Sequence, residues 1–98
     1  MSPRIEIERA LRHLAPRIPP HECGAVLDHA MGSSGLHNAS PENAAWLSLV
    51  TYIRHVFTDY DELLSAGYDV DSARHFVAAE IDVVLKQWDA KRKLNLEE

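Results

Sequence analysis

The sequence predicts an all-α fold, a small bundle of two short and two long helices. Apolar residues recur at spacings of three and four in four separate stretches, and proline or capping signals precede these stretches. Outside them, no run of four or more residues alternates between apolar and polar as a strand would. A chain of 98 residues with 46% hydrophobic residues suits one core, so we expect a single helical domain over residues 1–98.

The first two helices are predicted to be short and to flank a proline-rich connector. Ser2 as cap and Pro3 at the first position open the first helix, which must stop near Pro16. Pro20 suits the first turn of the second helix, and Gly32 is expected directly after its last residue.

The third helix is predicted to run without interruption from Ser40 to Ala66, ending at Gly67. At about 100° per residue, its apolar residues share an arc of about 140°. These residues are Trp46, Leu49, Val50, Ile53, Val56, Phe57, Tyr60, Leu63 and Leu64.

One competing signal lies inside this helix. Thr58 followed by Asp61 resembles a capping box, which favours a helix that restarts at Asp59. Because the apolar period continues past Thr58 without slipping, we predict a continuous helix.

The last helix begins after a cap at Asp71 or Asp69 and is expected to reach about Arg92. Its apolar face combines with that of the third helix into one predicted core. We expect these residues to be buried together: Trp46, Val50, Ile53, Phe57, Leu64, Phe76, Val77, Ile81 and Val84.

A strip of polar residues lies opposite the apolar arc of the third helix. It holds Arg54, His55, Thr58, Asp59, Asp61 and Glu62. Such a compact ionisable surface favours a binding or protein-interaction module, with another protein as the expected partner. Arg54 is also a candidate structural partner of Asp61, two turns further on.

Two other functions remain open. His55 and Asp59 lie one turn apart, which suits a metal-assisted or acid/base enzyme. A metal needs at least one more ligand from elsewhere, and we predict no metal and no cofactor. Arg-His recurs at Arg74-His75, but the flanking residues do not repeat, so we predict no internal repeat.

Charge makes nucleic acid an unfavoured partner. The net charge is −5, and residues 41–80 hold two basic side chains against seven acidic ones. Phosphate backbones are bound mainly through Lys and Arg, so the acidic centre of the chain is unsuited to them. A nucleic-acid accessory protein would have to use the basic end of the last helix, namely Lys86, Lys91, Arg92 and Lys93.

The single cysteine, Cys23, excludes an intramolecular disulfide. No signal segment opens the chain, and the longest apolar-rich run, residues 44–53, is about half of what a membrane span needs. We therefore expect a cytoplasmic protein without a membrane span.

One set of residues resembles a known family. It comprises Tyr52-Ile53-Arg54-His55, Thr58-Asp59-Tyr60-Asp61, Leu63-Leu64, Gly67, Ala73-Arg74, Val84-Leu85 and Trp88. Over about residues 14–90 the chain resembles the bacterial and fungal family known as domain of unknown function 2293, which implies no activity. The resemblance implies the candidate site residues Arg54, His55, Thr58, Asp59, Tyr60 and Asp61, as a structural clasp or as a functional site. Val56 and Phe57 depart from the more polar or basic family pattern before the threonine.

Overall fold

All regular secondary structure in residues 2–36 and 38–95, the residues that this computed structural model describes, is helical. This confirms the predicted all-α class. In this part of the chain there are five α-helices: α1 (Pro3–Leu14), α2 (Pro20–Gly32), α3 (Pro41–Phe57), α4 (Tyr60–Ser65) and α5 (Val70–Gln87). One turn of 3-10 helix, Ser34–Leu36, lies between α2 and α3.

Helix α3 is the centre of the fold, because α1, α2 and α5 all pack against it. Its start is fixed by the Ser40 hydroxyl, which accepts a hydrogen bond from the Asn43 N–H at 3.2 Å. The start of α5 is fixed in the same way by Asp69, whose carboxylate accepts from the Ser72 N–H at 2.7 Å. This hydrogen bond lowers the pKa of Asp69. The buried core includes Leu11, Cys23, Val26, Trp46, Leu49, Val50, Ile53, Val77, Ile81 and Val84.

The connector between α1 and α2 is joined to the end of α5 by backbone hydrogen bonds. The Arg17 N–H donates to the Trp88 carbonyl at 3.1 Å, and the Lys91 N–H donates to the Leu14 carbonyl at 2.9 Å. Burial of Ala15 and Ile18 completes this end of the core.

The predicted continuous helix from Ser40 to Ala66 is wrong. Helix α3 ends at Phe57, Thr58 is extended with φ −134° and ψ 171°, and the chain resumes a helix at Tyr60. The competing interpretation, a restart near Asp59, describes the chain better. Helix α4 ends at Ser65, shortly before the predicted stop signal Gly67, which has φ 99°, and the Tyr68 N–H donates to the Leu63 carbonyl at 3.1 Å.

The break also alters burial. Phe57 and Val56, predicted to be buried, lie in the last turn of α3 and are 41% and 50% exposed. Beyond them the chain leaves the α3 axis, so the apolar arc calculated for a continuous helix no longer applies. Leu64, also predicted to be buried, is only partly buried.

Phe76 was also expected in the core, but it is 59% exposed. Residue Val77 faces the core, and Phe76 is offset from it by about 100° around the helix. Its ring instead contacts Tyr68 edge to face, with 5.5 Å between the ring centroids.

Helix α5 ends five residues earlier than the predicted Arg92. After Gln87 the backbone turns left-handed at Asp89, with φ 57°, and the Ala90 N–H donates to the Leu85 carbonyl at 2.9 Å. This is the hydrogen-bond pattern of a Schellman motif, formed here without the usual glycine. The absence of glycine explains why the sequence did not indicate it.

The basic residues predicted for the end of α5 therefore mostly follow the helix. Lys91 forms an ion pair with Asp89 at 3.1 Å, and the guanidinium of Arg92 lies over the Trp46 ring at 4.7 Å. Only Lys86 is in the last turn.

We predict that Ile53→Ala and Phe76→Ala differ in cost, although the sequence alone had suggested the same cost for both. Ile53 is fully buried, so its truncation should lower the free energy of unfolding by about 2–5 kcal/mol. Phe76 loses mainly its contact with Tyr68, so its truncation should cost about 1 kcal/mol or less. Urea unfolding of both variants measures the difference, and equal losses would contradict the observed packing.

Candidate functional site

A cavity of about 350 Å³ opens where α3 and α4 are separated by the break. We call it the break cavity. It is built from α2, α3, α4 and α5 together. Its lining residues are His29, Thr51, Tyr52, Arg54, His55, Tyr60, Asp61 and Arg74.

Four of the six candidate residues implied by the family resemblance line this cavity: Arg54, His55, Tyr60 and Asp61. Thr58 lies at the break itself. Asp59 is exposed and is not among the lining residues. The arrangement of the four thus depends on how the chain turns between α3 and α4.

The Thr58 hydroxyl forms hydrogen bonds on both sides of the break. It donates to the Arg54 carbonyl, which lies in the last turn of α3, and it accepts from the Tyr60 N–H at 3.2 Å. A threonine hydroxyl can replace backbone partners at a helix end in this way. One side chain is thereby bonded to the last turn of α3 and to the first residue of α4.

The helical angles placed Arg54 on the polar arc of the third helix, but the structure buries it. Its residue surface is only 6% exposed, and its guanidinium carbon lies 5.5 Å from the centre of the Tyr60 ring. This distance allows a cation–π interaction between the two side chains. Arg54 therefore packs at the border between the core and the break cavity.

His55 Nδ1 contacts the carboxylate of Asp61, an ion pair when the imidazole is protonated. The predicted partner was Asp59. In a continuous helix, His55 and Asp61 would be separated by about 120° around the axis. The break removes this separation, so the two side chains meet at the cavity.

Tyr52 connects α3 to α2 at the same cavity. Its hydroxyl donates a hydrogen bond to the carboxylate of Glu22. Burial, together with this bond and the charge of Glu22, raises the pKa of Tyr52 to about 12. Tyr52 therefore remains a protonated hydrogen-bond donor at neutral pH.

Sequence analysis missed His29, Thr51, Tyr52 and Arg74 as lining residues. Tyr52 and Arg74 belong to the residues that carry the family resemblance, and Arg74 also belongs to the second Arg-His pair. That second pair was the available signal, because its arginine and Arg54 reach one cavity. His29 has no comparable sequence signal, since only the packing of α2 on α3 brings it there.

Within residues 2–36 and 38–95, no group of three or more His, Cys, Asp and Glu side chains is placed to hold a metal ion. In the same residues, no helix combines the length and apolar character that crossing a bilayer requires.

Comparison with known proteins identifies one family. The model of a family described as "Uncharacterized conserved protein (DUF2293)" matches residues 10–89, which include every residue that lines the break cavity. No curated protein and no solved structure matches the chain.

We predict that substitutions of the two neighbours Arg54 and His55 differ strongly in their effect on stability. Arg54→Met should lower the free energy of unfolding by about 2 kcal/mol or more, because it removes a desolvated contact between the guanidinium and the Tyr60 ring. His55→Ala should change it by less than about 0.5 kcal/mol, because the His55 side chain is 69% exposed. Urea melts of the two variants test this, and equal small shifts would contradict a structural role for Arg54.

Urea melts of Arg54→Met, Asp61→Asn and the double variant test coupling between Arg54 and Asp61. If the two charges act as a clasp, Asp61→Asn should partly offset the loss caused by Arg54→Met. Strictly additive losses would contradict the clasp.

A further prediction concerns the hydroxyl at the break. Thr58→Val keeps the shape of the side chain but removes both hydrogen bonds, so it should destabilise the protein by about 0.5–2 kcal/mol. Thr58→Ser retains the hydroxyl and is the matched control. Thermal melts in which serine and valine are equally costly would show that the hydroxyl is unimportant.

Proposed function

The chain belongs to the DUF2293 family of uncharacterized conserved proteins, and we propose that it is a binding module whose ligand-binding surface is the break cavity. The observation that carries this proposal is the convergence of ionisable and hydrogen-bonding side chains from four helices on one cavity. A volume of about 350 Å³ lies in the range of small-ligand sites. It can accept a small molecule or a side chain of a partner protein.

The cavity is also well supported by the surrounding structure. Arg54 is held by burial and by the Tyr60 ring, and Tyr52 is held by Glu22. Side chains that are fixed before binding lose less conformational entropy when a ligand arrives. This preorganisation favours a binding role.

A larger cavity, of about 520 Å³, lies between α1, the start of α3 and the segment after α5. Its basic side chains include Lys91 and Arg92, which already contact Asp89 and Trp46. The break cavity is the better candidate, because its lining includes residues of the motif that carries the family resemblance.

The acid/base alternative keeps a histidine and a carboxylate, but with Asp61 in place of Asp59. The His55 side chain is exposed, so water screens the charge interactions that acid/base catalysis would exploit. This exposure favours binding over catalysis.

We also expect the module to work in the cytoplasm, because Cys23 is a buried free thiol.

We predict that small molecules binding to this protein will occupy the break cavity. The full chain, labelled with ¹⁵N, would be titrated with a set of anionic, neutral and cationic fragments. At least one fragment should shift the amide signals of Thr51, Tyr60 and Arg74. A set in which no fragment shifts these signals would contradict the proposal.

Two tryptophan variants of α3 make the test specific. Thr51→Trp places a bulky ring in the cavity from an exposed position and should abolish the shifts. Leu47→Trp is the matched control, because Leu47 is 39% exposed on the same helix and is not among the lining residues. Binding that survives Thr51→Trp would place the ligand elsewhere.

A further inference from the structure

We infer that the break cavity recognises an oxyanion, a carboxylate or phosphate group on a small molecule, with the guanidinium of Arg74 as the principal contact. This inference rests on the proposed function and names the chemical class of its ligand. Arg54 supplies a second positive charge in the same lining.

The distribution of charge carries the first step. Residues 41–80 contain only two Lys or Arg side chains, Arg54 and Arg74, against seven Asp or Glu. Although they lie twenty residues apart on two helices, both line the break cavity. Two positive charges in one concave site produce a local positive potential within an acidic part of the chain.

The environment of Arg74 carries the second step. Its Nε is buried, and it has no hydrogen-bond partner in the part of the chain that the structure describes. A buried donor without a partner costs free energy, which an acceptor on a ligand would recover. A carboxylate or phosphate suits this role, because its oxygens can accept two parallel N–H bonds from one guanidinium.

Among the described residues that line the cavity, the one acidic side chain is Asp61, and its carboxylate contacts His55 Nδ1. When His55 is protonated, its charge compensates that of Asp61, so the two arginines give the cavity lining a net positive charge. The same lining includes the rings of His29, Tyr52 and Tyr60, which offer flat surfaces to the body of a ligand.

The size of the cavity and the charge of its surroundings limit the kind of molecule that can bear the oxyanion group. A cavity of about 350 Å³ is at the small end of ligand sites. The acidic balance of residues 41–80, with seven Asp or Glu against two Arg, disfavours a polyanion such as a nucleic acid. A compact ligand with one or two negative charges fits both constraints.

Four probes with one phenyl ring each test the inference on the full chain by ¹⁵N chemical-shift titration. Phenyl phosphate and benzoate present the two oxyanions, benzyl alcohol is neutral, and benzylamine is cationic. We expect the better of the two anions to bind at the cavity at least about tenfold more tightly than benzyl alcohol or benzylamine, and more weakly as salt is added. Comparing the two anions separates phosphate from carboxylate.

Variants of Arg74 locate the contact. Arg74→Met should weaken binding of the preferred anion by about tenfold. Arg74→Lys keeps the charge without the planar fork and should fall between the wild type and Arg74→Met. Arg17→Met is the control, because Arg17 is an exposed arginine outside the cavity lining, and it should bind like the wild type. If Arg74→Met fails to fold, the comparison of Arg74→Lys with Arg17→Met decides.

The outcomes separate the inference from the function on which it rests. If the neutral or cationic probe binds at the cavity as tightly as the anions, or if the Arg74 variants bind the anion like the wild type, the oxyanion inference is wrong and the cavity remains a binding site. If no fragment of any charge shifts the cavity signals, the proposed function fails as well.

Discussion

The architecture of the candidate site depends on two hydrogen bonds of one hydroxyl group. Thr58 Oγ1 donates to the Arg54 carbonyl and accepts from the Tyr60 N–H, so one side chain is bonded to the last turn of α3 and to the first residue of α4. A helix that continued through this point would keep His55 and Asp61 on different sides. Because the helix is interrupted, they form an ion pair at the rim of a cavity.

Three consecutive residues of α3 connect the site to the core. Ile53 is fully buried in the core, Arg54 is buried at its edge over Tyr60, and His55 is exposed at the cavity. Arg54 therefore contributes both to the stability of the fold and to the proposed binding site. A substitution of Arg54 would affect both. Arg74 reaches the cavity from α5 with a buried donor still unsatisfied within the described structure, so it is the better residue for separating the two roles.

Local sequence signals were sufficient for most of the fold. Helix ends are set by local effects that act within a few residues, at Pro3, Pro20, Ser40 and Gly67. The periodicity of α3 correctly predicted Trp46, Leu49, Val50 and Ile53 as buried. It failed beyond Phe57, because the two hydrogen bonds of the Thr58 hydroxyl outweighed an apolar pattern that fitted a continuous helix. The site was predictable only in part, since His29, Tyr52 and Arg74 reach it through the packing of separate helices.

Backbone secondary chemical shifts of the wild-type chain test the central claim most directly. The break predicts helical Cα shifts up to Phe57, a loss of helical shifts at Thr58 and Asp59, and their return from Tyr60 onward. This pattern would support a site formed by the turn between α3 and α4. Helical shifts that continue without interruption from Arg54 to Leu64 would contradict it, and the break cavity would then lack its structural basis.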